Sequence, residues 1–275
     1  MPRKLFCEIS PLTYRISVQK GIVLKNASDL FRGERYARRM QTEPLPHIVK
    51  SHVSLIERQL AGVDPQLQKN KATNLALAAR GLHGLVIAPG ETFSFWRAVG
   101  HPSEKDGYLP GLTLSTRKGL GSAIGGGLCQ MANMVHWLVL HSPLTVTELH
   151  HHTDAMFPDE RRRVPFGTGT SVFYNRLDYR FKNTTDQPVQ LLIWIENGYL
   201  CGELRSLRSF GRRYRMTEED HYFSREGDDY YRNSKVYRLV SDEKTGEEIA
   251  RELVLVNHSK VLYDPALIPK EQLRD

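Results

Sequence analysis

The sequence predicts a mixed α+β protein with a helical N-terminal part, a central sheet packed on a buried helix, and a C-terminal β-hairpin module. Three observations predict it. Apolar residues recur at helical spacing between Leu45 and Leu85, the segment Leu128 to Leu140 is apolar on most sides, and from Leu144 onward alternation of period two prevails. A chain of 275 residues with 40% hydrophobic content can bury a sizeable core. We divide it into a mainly helical region at 1–68, a core domain at 69–205 and a β-hairpin extension at 206–275.

The elements follow in order. Ile48, Val53, Ile56 and Leu60 recur at three- to five-residue steps and predict one helix; after the Asp64-Pro65 break, Leu75, Leu77, Ala78, Leu82 and Leu85 predict a second packed on it. The turn Pro89-Gly90 leads into Glu91 to Trp96, an alternating aromatic stretch that reads as a strand with Phe93, Phe95 and Val99 facing the core. Leu128, Met131, Val135 and Leu138 form one stripe of a central helix that Ser142-Pro143 ends. Leu144 to Thr153 alternates as a strand with Val146, Glu148, His150 and His152 on one face. Ser171 to Lys182 reads as a long strand, with Phe173, Leu177, Tyr179 and Phe181 on one face and Arg176, Asp178 and Arg180 on the other. Val189 to Ile195 is a buried strand closed by Asn197-Gly198. Val236 to Leu239 and Glu252 to Val256 read as two strands joined by a turn at Lys244, Thr245 and Gly246.

Composition narrows the partners. The net charge of +7 would suit an anionic partner if the basic residues clustered. They form only short runs, at Arg35, Arg38 and Arg39, at Arg161 to Arg163, and at Arg212, Arg213 and Arg215, without an aromatic-interleaved nucleic-acid motif. These read as solvated faces, and no nucleic-acid partner is expected; the second run, near the suspected site, leaves room for a phosphate-bearing ligand. Charge and proline interrupt the N-terminal apolar residues before a signal core forms, and the most apolar segment, Met131 to Leu140, is too short to span a bilayer. We therefore expect a protein without stable membrane insertion. Three cysteines without a CxxC pair suit a reducing cytoplasm, with Cys7 and Cys201 structural or surface thiols.

The chemistry, if there is any, centres on Cys129, which follows Gly125, Gly126 and Gly127 at the start of the apolar helix. Unpaired N–H groups in a first helical turn favour the thiolate, so a lowered pKa is expected there. His150 and His152 on the next strand are candidate bases, Asp178 or Asn175 the group that orients the base, and Gln130 or backbone N–H groups near Gly127 the oxyanion donors. His136, about 10 Å along the helix, reads as structural. A cysteine-dependent hydrolase or acyl transferase of amide or peptide bonds follows, with Cys129 as nucleophile. Two other readings use the same residues: a zinc site at His150 and His152 together with Cys129 or Asp154, and a non-catalytic module in which the glycine loop, Trp96 and the basic run hold an anionic or peptide ligand. No second close ligand pair accompanies the histidines, so neither a metal nor another cofactor is expected.

The segments PGETFSFW (Pro89 to Trp96), GGGLCQ (Gly125 to Gln130), the histidine strand, and LDYRFKN (Leu177 to Asn183) followed by Thr184 and Asp186 together resemble the VanW family over about residues 70 to 205. Members of that family occur as accessory proteins in B-type vancomycin resistance clusters, and its biochemical activity is unassigned. The resemblance puts the family motif on Gly125, Gly126, Gly127, Cys129 and Gln130 and its histidine on His152, with His150 at a more variable position. An acidic position of the family falls here on Gly169, which leaves Asp178, a matching position, as the acidic candidate. It implies a cell-wall precursor or small peptide as the substrate class.

Overall fold

A reciprocal cap opens the first helix, α1 (Pro11–Phe31): Thr13 N–H donates to Ser10 Oγ at 3.2 Å while Ser10 N–H donates to Thr13 Oγ1 at 2.9 Å. Pro11 suits the first turn, where no N–H is needed, and Gly33 beyond the helix adopts a left-handed φ of 62°. The computed structural model describes the whole chain except residues 1–4, 32, 58–63, 116–118, 152–153, 156–157, 159–163, 175 and 275.

The chain continues through β1 (Arg39–Met40), β2 (His47–Leu55), α2 (Pro65–Ala79), β3 (Leu85–Ile87), β4 (Thr92–Ser94) and α3 (Phe95–Val99). A two-stranded ribbon, β5 (Pro110–Ser115) and β6 (Gly119–Ile124), leads into α4 (Cys129–Leu140). Then come β7 (Thr145–Glu148), β8 (Asp154–Ala155), β9 (Arg180–Lys182), β10 (Val189–Glu196) and β11 (Tyr199–Ser206). Three long strands, β12 (Arg212–Glu226), β13 (Asp229–Asp242) and β14 (Glu248–Val261), precede the short β15 (Leu273–Arg274).

Two five-stranded sheets dominate, in the orders β1-β3-β10-β11-β2 and β15-β12-β13-β14-β8, with a small β4-β9-β7 sheet and the β5-β6 ribbon beside them. The main core lies where α4 meets the first sheet. Met131, Val135 and Leu138 of α4 and Leu191, Leu200 and Leu204 of β10 and β11 are all 0% exposed. Full burial of such a side chain contributes roughly 1.5–3 kcal/mol. Packing therefore holds α4, since no side chain caps its N-terminus. A second apolar cluster of Ala155, Phe166, Phe223, Val261 and Ile268 serves the C-terminal sheet.

The α+β class, the central helix, the helix after Asp64-Pro65 and the strand from Val189 stand as expected. Four expectations need correction. The helix expected around Ile48 and Val53 is strand β2, whose Ile48 and Val53 face solvent while Val49 packs on the core; pairing with β11 decides its structure against a spurious helical spacing. The aromatic stretch is a strand only to Ser94, whose hydroxyl accepts from Arg97 N–H and starts α3. The long strand expected over Ser171–Lys182 is β9 alone, because the chain folds back on itself before it: Phe173 and Leu177 exchange N–H···O bonds of 2.9 and 3.0 Å. The strand after α4 ends at Glu148, and His152, expected to share its face, lies outside the described residues. Beyond Ser206 the expected hairpin forms as β13 and β14, with β12 as a further long strand beside it, and Asn197-Gly198, both at positive φ, join β10 to β11 as expected.

A buried ionic knot fastens α1 to this frame. Arg180 of β9 donates to both Asp29 oxygens at 2.6 and 2.9 Å and to Asp178 at 2.7 Å, and Arg97 reaches Asp29 at 3.2 Å. Burial alone would raise the Asp29 pKa, but the Arg180 and Arg97 guanidiniums hold it below its ordinary 3.8. Four residues earlier Lys25 pairs with Glu148 at 2.7 Å.

Asp29→Ala should cost about 3–5 kcal/mol in urea unfolding because it strands the buried Arg180 charge, whereas Lys25→Ala, whose pair is more exposed, should cost about 1 kcal/mol or less. The sign with pH follows from a lowered native pKa: the contribution of Asp29 is complete above its unfolded pKa and disappears as pH falls through the native one. Wild type and Asp29→Ala should therefore converge in stability toward the acid limit.

Candidate functional site

The glycine loop is set by close backbone approach. A Cβ on Gly126 would stand 2.0 Å from Gly111 O, and one on Gly111 would stand 2.3 Å from Gly126 O, so neither position accepts a side chain. Asn74 of α2, fully buried, bridges the two segments: its Nδ2 donates to Leu109 O at 3.0 Å and Gly126 O at 2.9 Å, and its Oδ1 accepts from Leu109 N–H at 2.8 Å. Gly125 (φ 73°) lies under Pro102 and Gly127 (φ 92°) against the Lys71 stem. The loop is thus clamped on all sides before Cys129 begins α4.

Cys129 is half-buried, and its thiol donates to Val172 O at 3.7 Å. Burial pushes the thiol pKa up against the smaller opposing pull of backbone hydrogen bonds, so the lowered pKa expected from helix position is overturned. Gln130 Nε2 donates to Ser54 Oγ and Leu55 O, both at 2.9 Å, and so ties α4 to the end of β2.

His150 bonds Glu148 Oε1 through Nε2 at 3.0 Å, and its carbonyl accepts from Ser171 N–H at 2.6 Å. Burial would raise the Glu148 pKa, but Lys25, His150 and the Asp178 N–H together lower it. Asp178 is 1% exposed and spends its carboxylate on four donors: Ser94 Oγ at 2.6 Å, Arg180 Nε at 2.7 Å, and the N–H groups of Trp96 at 3.1 Å and Tyr179 at 2.9 Å. Trp96 is buried too, its Nε1 donating to Leu177 O at 2.8 Å. The structure therefore joins Asp178 and Trp96 to each other, and Cys129 to the loop segment at Val172. His152 and Asn175 lie outside the described residues. So does the arginine run 161–163.

Residues the sequence left unmarked complete the site. The short loop Phe173–Leu177 carries an aromatic tip: Phe173 is 46% exposed, and Tyr174 packs edge-on against Trp96 at 5.4 Å and His101 at 4.2 Å. The Ser171–Lys182 alternation hid this tip by suggesting a continuous strand. Asn74 and Gly111 carried no signal without knowledge of what lies opposite them. Among the described residues, no three His, Cys, Asp or Glu side chains gather as a metal ion would require. No described helix is long and apolar enough to cross a membrane.

With this geometry in place, the comparisons with known proteins are decisive on ancestry. The VanW family profile, described as VanW like protein, matches residues 70–205. The vancomycin B-type resistance protein VanW of Enterococcus faecalis (strain ATCC 700802 / V583) is 32% identical over 233 residues, 85% of this chain and 84% of that protein. The chain belongs to the VanW family. A second relative, the uncharacterized protein YoaR of Bacillus subtilis (strain 168), is 29% identical over 121 residues, 44% of this chain and 38% of its own length. No solved structure matches. The matched segment of this VanW-family chain begins within α2 and ends within β11, so it holds the glycine clamp, Cys129 and the aromatic tip together.

Gly126→Ala and Gly111→Ala should each destabilise by at least about 3 kcal/mol, since backbone must move, while Gly121→Ala, 3.4 Å from the nearest hydroxyl, should stay near wild type in thermal melts. His136, 1% exposed with Nδ1 3.1 Å from Tyr179 Oη, has its pKa pushed down by burial to about 3. The unfolded chain takes up this proton near pH 6.5 and the native chain does not, so stability should fall by about 1.4 kcal/mol for each pH unit that pH drops from 6.5 toward 3. In His136→Gln that component of the slope in urea midpoints should vanish.

Proposed function

We propose that this VanW-family chain is a non-catalytic binding module whose ligand is a peptide of the cell-wall precursor class, seated on the Phe173–Tyr174 tip beside the glycine loop. The observation that carries the reading is the tip itself: an exposed phenylalanine on a loop closed by mutual backbone bonds, backed by Trp96 and His101, with Val172 at its base in contact with Cys129. Exposed aromatics on a rigid support are a favourable recognition surface, because they lose little conformational freedom on binding. The net charge of +7 favours the carboxylates of such a peptide. The vancomycin resistance named for the enterococcal relative supplies the cell-wall context. In this reading Cys129 is a packing residue whose raised pKa keeps it a thiol.

The competing reading is a cysteine-dependent hydrolase or acyl transferase with Cys129 as nucleophile and His152 as base, favoured by the position of Cys129 at the head of α4. One experiment separates them. A soluble muropeptide with an intact peptide stem is titrated into the protein by calorimetry, and the same mixture is followed for amide cleavage by mass spectrometry. Cys129→Ala should bind within about twofold of wild type, and Phe173→Ala should weaken binding by about tenfold or more, the loss of about 1.4 kcal/mol typical of an anchoring aromatic. Cys129 should react with iodoacetamide at pH 7 no faster than free cysteine. Cleavage of the peptide that disappears in Cys129→Ala would replace this reading with the catalytic one, and binding indifferent to Phe173 would remove the tip from it.

A further inference from the structure

Helix α1 wears its polarity inside out. Val18, Ile22, Lys25 and Asp29, at i, i+4, i+7 and i+11, are the half-buried or buried side, and it is charged residues that fasten this side, through Glu148, Arg180 and Arg97. The opposite side presents Leu12, Ile16, Val23 and Leu30, which at 100° per residue lie within about 40° of one another. They are 66%, 49%, 63% and 79% exposed. Leu24 and Phe31, 59% and 88% exposed, lie farther round the helix, at about 120° and 100° from Leu12. Scattered exposed leucines are ordinary, but four large apolar side chains aligned along one 21-residue helix, with only the uncharged Gln19 and Asn26 between them, are not.

Charge indicates the occupant. Arg15 and Lys20 fall on opposite flanks of the strip, at about 60° and 80° from Leu12 on the same projection, and both are exposed. The single acidic residue of the helix, Asp29, is buried in its ion pairs on the far side. An apolar strip edged on both sides by long basic side chains fits an anionic lipid surface: the strip enters the acyl boundary while the basic stems reach back to the headgroups. Four charged residues in the helix preclude a spanning arrangement, in keeping with the absence of a crossing helix among the described residues. A second copy of this chain would bring the same basic flanks together and meets no acidic counterpart on the helix.

We propose that α1 is an in-plane membrane-association element that docks the protein reversibly on anionic bilayers. The proposal is independent of the ligand assigned to the Phe173–Tyr174 tip. In a vesicle flotation assay at low salt, the full chain should bind vesicles of phosphatidylglycerol and phosphatidylcholine and leave vesicles of phosphatidylcholine alone unbound. Binding should weaken about fivefold for each of Arg15→Gln and Lys20→Gln, the share expected of one basic side chain at such a surface. It should fall steeply with salt. Leu12→Ser/Val23→Ser, whose side chains contact solvent and leave the melting temperature unchanged, should abolish it, and a Leu30→Trp variant should shift its emission to the blue on anionic vesicles only. Failure of the wild-type chain to float at low salt would overturn the proposal. So would equal binding to both vesicle types, or a dimer in sedimentation equilibrium that the Leu12→Ser/Val23→Ser variant dissolves, which would give the strip to a second copy.

Discussion

The contact between Arg180 and Asp29 sets the arrangement of everything that surrounds the motif region. Arg180 sits on a three-residue strand whose neighbours are β4 and β7, and its guanidinium reaches Asp29 on α1, Asp178 two residues back and Tyr36 Oη at 2.9 Å. A buried cation is tolerable only with its donors satisfied, so its partners are constrained in turn. Asp178, held by Arg180, fixes the N–H groups of Trp96 and Tyr179 and the hydroxyl of Ser94, and thereby the start of α3. Trp96, so fixed, supports Leu177 and Tyr174. One ion pair thus propagates from the N-terminal helix to the exposed aromatic tip, through hydrogen bonds as far as Trp96 and a ring contact from Trp96 to Tyr174. Replacing the set by apolar residues of equal volume would not disturb the energy greatly, but it would remove the geometry that orients the tip.

The glycine loop is constrained by a different means, contact of backbone with backbone. Where Gly111 and Gly126 face each other there is no room for a methyl group, and Asn74 completes the clamp with the amide of one side chain. Such a loop has little freedom to close over a ligand. Under the proposed binding function, recognition there would rest on a preformed surface, with conformational entropy lost at folding rather than at binding.

Period and composition made the buried elements legible. Met131, Val135 and Leu138 announce α4, and the run from Val189 announces β10, because burial on nearly all sides leaves an unbroken apolar signal. The signal failed where tertiary pairing and not local pattern decides. Ile48 and Val53 mimic a helical step, yet β11 recruits them into an edge strand with both side chains outward. Asp178 attracted attention as an acid on the face of a strand that in fact begins only at Arg180, and the partner of Arg180 was invisible in the sequence because it lies 151 residues earlier. The raised thiol pKa of Cys129 was hidden for the same reason, since the helix terminus is local and legible while the burial that outweighs the lowering hydrogen bond to Val172 is not.

The same non-local pairing explains why α1 escaped a pattern-based reading. An ordinary surface helix buries its apolar stripe and shows its charges, and the hydrophobic effect sets its orientation. Here the inward stripe includes Lys25 and Asp29, and Glu148, Arg180 and Arg97 orient the helix by charge. Burying Leu12, Ile16, Val23 and Leu30 against the body instead would gain apolar contact, but it would turn Asp29 into solvent and leave Arg180 a buried cation with one carboxylate fewer, a loss of several kcal/mol. The ionic knot that orders the motif region is therefore also what holds the apolar strip outward. A rotation of α1 that hid the strip would dismantle the support of Trp96, so the exposed strip and the shape of the tip are coupled through a single arginine.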